Sequence, residues 1–425
     1  MLVLLTTGGT GNRKEVVYRW APKGQKPQEC RTAHFPIAAY KFFRPDKVIF
    51  AATQEAAQHE NCLKVKEALK DKVEIVIIPD GSSEDELWEI FDVVSNAVPK
   101  GARIILDITH GYRSQPLLLF GVVAYSGRTK HTILERIVYG ALEAGKERPD
   151  GLIHAPVFDL TVLADLLEWL HAVDTFAIRS DASKLADLLI TAQDRQWAVS
   201  RAEGEGLPKK LKTMARRLEE FSDSVRLLRP LDAIKAAAKV TDCSKEVEQE
   251  SAQWARPFAH ILGNIARETA ELGIERPEEL RYESLQRQLL LIKHYIHKDL
   301  LIQAVLLARE WVVSWVAWCR RKDNVDWLCL PYREQISNAL NGAAKHLAAG
   351  GEGTGFGVPS WFTELPQSGE VVKLWVWLRG LRNDVAHCAM NPRAAGADSV
   401  KQRAMKLPCR LATLLELDQS RDTTV

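Results

Sequence analysis

Six short runs of branched apolar residues recur through the first 165 residues of the chain, at Leu2 to Thr6, Lys47 to Ala52, Val73 to Ile78, Ala102 to Ile108, Thr132 to Tyr139 and Ile153 to Leu160. A run that is apolar at nearly every position suits a strand covered on both faces. Covered strands separated by helices pair mostly in parallel, because each connection crosses back over the sheet and its helix supplies the cover. The segments between them fit, since Gln54 to Leu69, Ser83 to Val98 and Gln115 to Tyr125 have helical patterning, and Ser83 with Glu86 forms a capping box. The pattern predicts an α/β, Rossmann-like domain over residues 1–165, with a parallel-rich sheet and helices on both faces.

In such sheets ligands bind outside the carboxyl ends of the strands, where strand order reverses. Two loops are expected there, Thr6-Thr-Gly-Gly-Thr-Gly-Asn12 after the first strand and Asp107-Ile-Thr-His-Gly-Tyr-Arg113 after the fourth. Gly8, Gly9 and Gly11 let backbone N–H groups approach a phosphate, and Thr7, Thr10 and Asn12 add side-chain polar groups. The second loop brings Thr109, His110 and Arg113 around Gly111. A nucleotide-like anion fits better than a dinucleotide, because Arg13-Lys14 stands where a third glycine belongs. The plainer alternatives are a tight turn at the glycines and a helix-capping carboxylate at Asp107.

A chain of 425 residues exceeds one ordinary core, and the remainder reads as helical. Residues 166–285 are strongly charged, with Lys209 to Glu220 read as a solvated helix face and breaks at Gly204 to Pro208 and at Arg276-Pro277. Beyond 286 tryptophan is dense. Trp311, Trp315 and Trp318 stand at i, i+4 and i+7, a spacing for packing rather than base stacking. Leu300 to Trp318 is long and apolar, but Arg309-Glu310 inside it argues for a buried helix rather than a membrane span. His294 and His297 have ligand spacing without a third partner at hand, so no metal is expected. Gly350 to Gly357 reads as a flexible loop, and the tail after about Asp418 as disordered.

Near the end, Leu374, Trp377, Leu378, Leu381 and Val385 recur at helical spacing, leaving Asn383 and His387 four apart on another face. Arg382 projects about 140° from His387, within reach of a long side chain. A guanidinium, an amide and an imidazole together suit phosphodiester cleavage: charge stabilisation, orientation and proton transfer. The loose Arg-to-His spacing also occurs at Arg103/His110, Arg148/His154 and Arg287/His294, so context singles out Arg382.

Basic and acidic residues number 57 and 55, a net charge of +2, so any RNA contact must be local. Seven cysteines without a Cys-x-x-Cys pair suit a reducing cytoplasm, and Met1 to Leu5 is too short for a signal peptide. A cytoplasmic protein is expected.

Asp107-Ile-Thr-His-Gly111 with Tyr112-Arg113-Ser-Gln-Pro116 resembles the signature of the CRISPR-associated DxTHG-motif family. The opening Thr-Gly-Gly-Thr-Gly-Asn with Val17-Tyr18, the strand Asp46 to Thr53, Tyr139 to Ala144, Asp159 to Trp169 and Ala308-Arg-Glu-Trp311 resemble it too. Arg382-Asn-x-x-Ala-His387 resembles the HEPN ribonuclease motif. The resemblance implies three parts: a CARF sensor over 1–165, a helical connecting region over 166–285 and an all-α HEPN ribonuclease over 286–425. It implies a metal-independent endoribonuclease of type III CRISPR antiviral defence. Its activator would be a cyclic oligoadenylate, expected to be cyclic tetra-adenylate, made by the type III effector complex.

The substrate implied is single-stranded RNA, cut by attack of its own 2′-hydroxyl. His387 would be the acid or base, Arg382 the charge stabiliser and Asn383 the orienting group. Gly8, Gly9, Thr10, Gly11, Asn12, Thr53, Asp107, Thr109, His110, Gly111 and Arg113 would hold the activator. A homodimer, or a higher oligomer of dimers, with no membrane partner is expected. Two alternatives stay open: a nucleotide-sensing regulator that cleaves nothing, and a sensor that degrades its own activator through Thr10 or His110.

Overall fold

The computed structural model describes residues 1–22, 26–199, 207–320, 325–349, 358–365, 367–390 and 392–422. They form two compact units, Met1–Glu168 and Trp169–Val425.

The first unit holds nine strands: β1 Leu2–Thr7, β2 Val16–Trp20, β3 Gln28–Thr32, β4 Lys47–Ala52, β5 Val73–Ile77, β6 Arg103–Asp107, β7 Ile133–Gly140, β8 Lys146–Glu147 and β9 Ile153–Asp159. Its helices are α1 Phe35–Phe43, α2 Gln54–Gln58, α3 Glu60–Leu69, α4 Glu84–Ala97 and α5 Ser114–Thr129, followed by α6 Val162–Arg179, within which the division into units falls. The sheet order is β3-β2-β9-β7-β6-β1-β4-β5, with β8 beside β9. All six expected strand runs are strands. The block β7-β6-β1-β4-β5 is parallel throughout, as the doubly covered pattern required.

Alternation along β1 explains the layers. Leu4 joins Val48, Phe50 and Ile105 in a core with residues of α1 and α3, while Val3 and Leu5 join Ile49, Ile104 and Leu106 in a core with residues of α4 and α5. Each fully buried aliphatic side chain in these cores contributes about 1.5–3 kcal/mol.

Three differences from the sequence reading have local causes. The stretch read as one helix over 54–69 is two, α2 and α3, broken at His59, whose extended backbone (ψ 148°) lets its ring accept from Asn61 N–H as the cap of α3. The sequence pattern does not announce β2, which pairs parallel with β9, or β3 and β8, which pair antiparallel with β2 and β9; β3 (Gln-Glu-Cys-Arg-Thr) buries only alternate residues at a sheet edge and lacks the branched signature. Helix α1 was missed as well.

Among the described residues the second unit's regular elements are all helices: α7 Ser183–Val199, α8 Leu211–Arg226, α9 Pro230–Trp254, α10 Arg256–Leu272, α11 Tyr282–His297, α12 Leu301–Arg320, α13 Leu330–Ala348, α14 Ser360–Thr363, α15 Ser368–Ala386, α16 Ala397–Met405 and α17 Leu407–Asp422. One apolar cluster runs from Trp169 to Leu415, and the boundary expected near 285 falls inside it. Helix α12 is long and apolar enough to cross a membrane by length and composition, but its most apolar window is 61% buried against protein. Trp311 and Trp315 are completely enclosed there, as their spacing indicated.

The basic run on α8 buries Leu211, Met214, Ala215 and Leu218 and turns its charges outward into pairs such as Lys210–Glu246 and Arg217–Glu220. The tail differs from expectation, since α17 continues to Asp422. The loop Gly350 to Gly357, and most of Gly204 to Pro208, lie outside the described residues.

Candidate functional site: a glycine-loop cavity and a polar helix end

Strand order reverses at β1, which pairs with β4 on one side and β6 on the other, so the loops after β1 and β6 emerge side by side. They are locked together. The Thr7 hydroxyl donates to the His110 carbonyl, and the Thr6 hydroxyl donates to Asp107 Oδ2 at 2.7 Å. Thr109 N–H donates to Asp107 Oδ1 at 2.8 Å, and the Thr109 hydroxyl accepts from Gly140 N–H at 2.9 Å.

Gly111 is obligatory in this arrangement. Its φ is +93°, and a Cβ there would stand 2.7 Å from Thr7 Oγ1. Gly8 likewise leaves no room, because its Cβ would press on the Phe50 ring at 2.3 Å.

Between the loops lies a cavity of about 360 Å³. Of the residues expected to hold a ligand, Gly8, Gly9, Thr10, Gly11, Asn12, Thr53, Thr109, His110 and Gly111 line it. Two do not. Asp107 is completely buried beneath the second loop, its oxygens consumed by Thr6 and Thr109, so it braces the site rather than touching a ligand. Arg113 lines a neighbouring apolar cavity of about 610 Å³ with Leu117, Phe120 and Leu163. Thr53 has a second duty, since its hydroxyl caps α2 by accepting from Ala56 N–H at 3.2 Å.

The structure adds groups that the sequence reading passed over. Arg13, noted only as an obstacle to a dinucleotide motif, lines the cavity with Lys14 and Tyr18, and its guanidinium donates to Gly9 O at 3.3 Å. Asn61 of α3 donates from Nδ2 to both Gly9 O and Gly11 O at 3.0 Å. Neither had a local signal, because their partners are set by the fold.

Electrostatics favour an anion. Burial pushes His110 down to about 3 and His34 to about 4, with the Arg13 charge adding to both, so both rings are neutral at pH 7. Burial also lowers Arg13, whose guanidinium nevertheless remains the enclosed cation. Burial holds the Tyr18 hydroxyl protonated by raising it to about 12, and raises Asp107 to about 6 against the hydrogen bonds from Thr109 and Thr6. His110 Nε2 is buried without a hydrogen-bond partner among the described residues. Two cations, Arg13 and Lys14, against the one carboxylate of Glu55, with neutral donors and bare glycine backbone around the same cavity, suit a phosphate-bearing ligand.

The second candidate site is at the end of α15. Val371, Leu374, Trp375, Leu378 and Leu381 are buried, and Arg309 of α12 stacks on Trp375 at 4.7 Å, so the helix is seated beside α12 as expected. Trp377 and Val385, placed on the same stripe, are only partly buried. The opposite face is open. Arg382 Nη1 donates to Asn383 Oδ1 at 3.3 Å, and Asn383 and His387 are exposed.

The helix stops at Ala386, one residue short of His387, yet His387 N–H still donates to Asn383 O at 3.0 Å, which keeps the two residues one turn apart. Cys388 and Ala389 then take left-handed φ values of 53° and 55° and turn the chain away. The His387 ring has no hydrogen-bond partner among the described residues, which leaves both nitrogens available to a substrate.

The Arg287/His294 pair of similar spacing is of another kind. Arg287 donates to Glu271 O at 2.6 Å, and His294 is buried between Ser180 Oγ at 2.8 Å and Glu268 at 3.2 Å. His294 is therefore an interior polar contact rather than half of a metal pair with the neighbouring His297.

Comparison with known proteins agrees with the first unit. Residues 2–141 match the model of the CARF domain of the CRISPR system endoribonuclease Csx1, and residues 165–272 match that of the second domain of CRISPR-associated protein MJ1674. The MJ1674 protein of Methanocaldococcus jannaschii is 34% identical over 159 residues, which are 36% of this chain and 23% of that protein. Among solved structures, Enterococcus italicus Csm6 bound to cyclic hexa-2′-fluoro-hexa-dAMP aligns over 98% of this chain and 94% of its own, with a TM-score of 0.40 and 12% identity. The matched domains and the sheet with its two interlocked loops together identify the chain as a CRISPR-associated protein with an N-terminal CARF domain.

Proposed function

We propose that the first unit senses a cyclic oligoadenylate and that the helical unit is a metal-independent endoribonuclease acting through Arg382, Asn383 and His387. The observation that carries the sensor half is the cavity at the β1/β6 switch point, with its glycine loop and the Arg13 guanidinium, in a domain that matches a CARF model. Cyclic tetra-adenylate is the ring we favour, made by a type III effector complex.

The nuclease half rests on the exposed turn of α15, and on the fact that the Csx1 proteins of the matched model are named endoribonucleases. The 2′-hydroxyl of single-stranded RNA attacks the adjacent phosphorus, His387 moves the proton, Arg382 stabilises the gathering charge, and Asn383 orients Arg382. Products carry a 2′,3′-cyclic phosphate and a 5′-hydroxyl. Few groups stand on one such turn, so a homodimer that pairs two of them is part of the proposal.

The test is incubation of the full chain with labelled RNA in EDTA, with and without cyclic tri- to hexa-adenylates. Ligand-stimulated cleavage that DNA does not support is expected. Cleavage of nothing, with a ligand bound, would leave the chain a regulator instead.

A further inference from the structure

We infer that Asn61 is the positioning residue that turns the glycine loop into an anion cradle. This rests on the sensor reading above and names the group that prepares its site.

Asn61 is the second residue of α3 and is 5% exposed. It is not needed as a cap, because the His59 ring already accepts from Asn61 N–H. Its side-chain amide instead donates to two carbonyls of the loop after β1, Gly9 O and Gly11 O, each at 3.0 Å. Arg13 holds Gly9 O from a second direction at 3.3 Å.

In a trans peptide the C=O and the following N–H point in opposite directions. Fixing the Gly9 and Gly11 carbonyls on Asn61 therefore turns Thr10 N–H and Asn12 N–H away from it. Thr10 and Asn12 both line the cavity, Asn61 does not, and neither N–H has a protein acceptor among the described residues. Two backbone donors turned away from Asn61 on a segment with three glycines are a preformed phosphate site only if something holds them. Asn61 does so without touching the ligand.

An aspartate here would present acceptors to two carbonyls, and a leucine of the same size would present nothing. The experiment titrates full-length parent, Asn61→Leu and Asn61→Asp with cyclic tetra-adenylate by calorimetry, and follows the Thr10 amide resonance in protein labelled with 15N-threonine. In the parent, ligand should move the Thr10 amide strongly. Both variants should bind on the order of tenfold to a hundredfold more weakly, the scale of hydrogen bonds to a charged group, and the Thr10 shift should be lost.

Equal affinity in parent and variants would overturn the role of Asn61 while leaving the sensor reading intact. An unmoved Thr10 amide in a parent that binds would do the same without any variant. A parent that binds no cyclic adenylate from tri- to hexa- would remove the sensor reading and this inference together.

Discussion

Asp107 offers the sharpest quantitative test, because its burial carries a calculable cost. Its carboxyl is completely enclosed, and its pKa rises from 3.8 to about 6 in the folded chain. A raised carboxyl pKa means that folding favours the protonated form. Its stabilising contribution is complete below about pH 4, falls as pH rises towards 6, and is gone above that. Two pKa units correspond to about 3 kcal/mol.

Asp107→Asn has no charge to desolvate, and its amide can still accept from Thr109 N–H while donating to the Thr6 hydroxyl, which lie 2.8 and 2.7 Å from the present oxygens. At pH 8 the variant should therefore melt higher than the parent, on the order of 5–10 °C for a unit of this size. The gap should close as pH falls through 6 towards 4.5. Buried neutral histidines such as His110 and His34 act in the opposite sense, losing stability as pH falls below about 6.5, but they are common to both proteins and leave the difference untouched. Calorimetric melting of both proteins from pH 4.5 to 8 is the assay. A difference that stays flat with pH, or an Asn variant that melts lower at pH 8, would refute the desolvation argument.

Other outcomes follow from the two sites and from the interior contact. Arg382→Ala or His387→Ala should lower ligand-stimulated RNA cleavage by at least about a hundredfold, and a fully active His387→Ala protein would remove α15 from the chemistry. Thr10→Glu places a carboxylate in the loop cavity and should abolish stimulation at ligand levels that saturate the parent; unchanged stimulation would move the sensor site elsewhere. His294→Ala should cost about 1–3 kcal/mol in urea unfolding by stranding the buried Ser180 hydroxyl, while Glu268 keeps its pair with Lys298 at 2.6 Å, so it is a stability variant and not a neutral control, and an unshifted midpoint would contradict that. Because burial lowers His294 to about 3, its contribution is present above pH 6.5 and fades as pH falls.

The parts of the fold that were legible are those where one residue type had one thing to do. Branched runs such as Val48–Phe50 are buried on both faces, and a strand is the element that accommodates that pattern. Ser83 gave the start of α4 because its hydroxyl does accept from Glu86 N–H. What stayed hidden depended on partners far along the chain. Asn61 looks like an ordinary polar helix residue until the fold brings Gly9 and Gly11, about fifty positions earlier, against it. Asp107 reads equally well as ligand, cap or brace, and only burial decides. His387 stands one turn from Asn383, as the spacing indicates, but the end of α15 at Ala386 is set by two left-handed residues that carry no glycine to announce them.

The packing of α12 has a consequence for taking this protein apart. It touches α11, α13, α15, α16 and α17, and α11 in turn leans on α9 and α10, so the apolar surface of the helical unit is shared rather than partitioned. A fragment beginning at residue 286 would leave Phe258 and Leu262 behind and bare the faces that they now cover. Such a piece should be sticky and prone to precipitate in the test tube. Anyone wishing to express the putting-together of Arg382, Asn383 and His387 in a smaller form would have to keep the whole of Trp169–Val425, and engineering by truncation is better aimed at the chain's first 168 residues, which form their own compact unit.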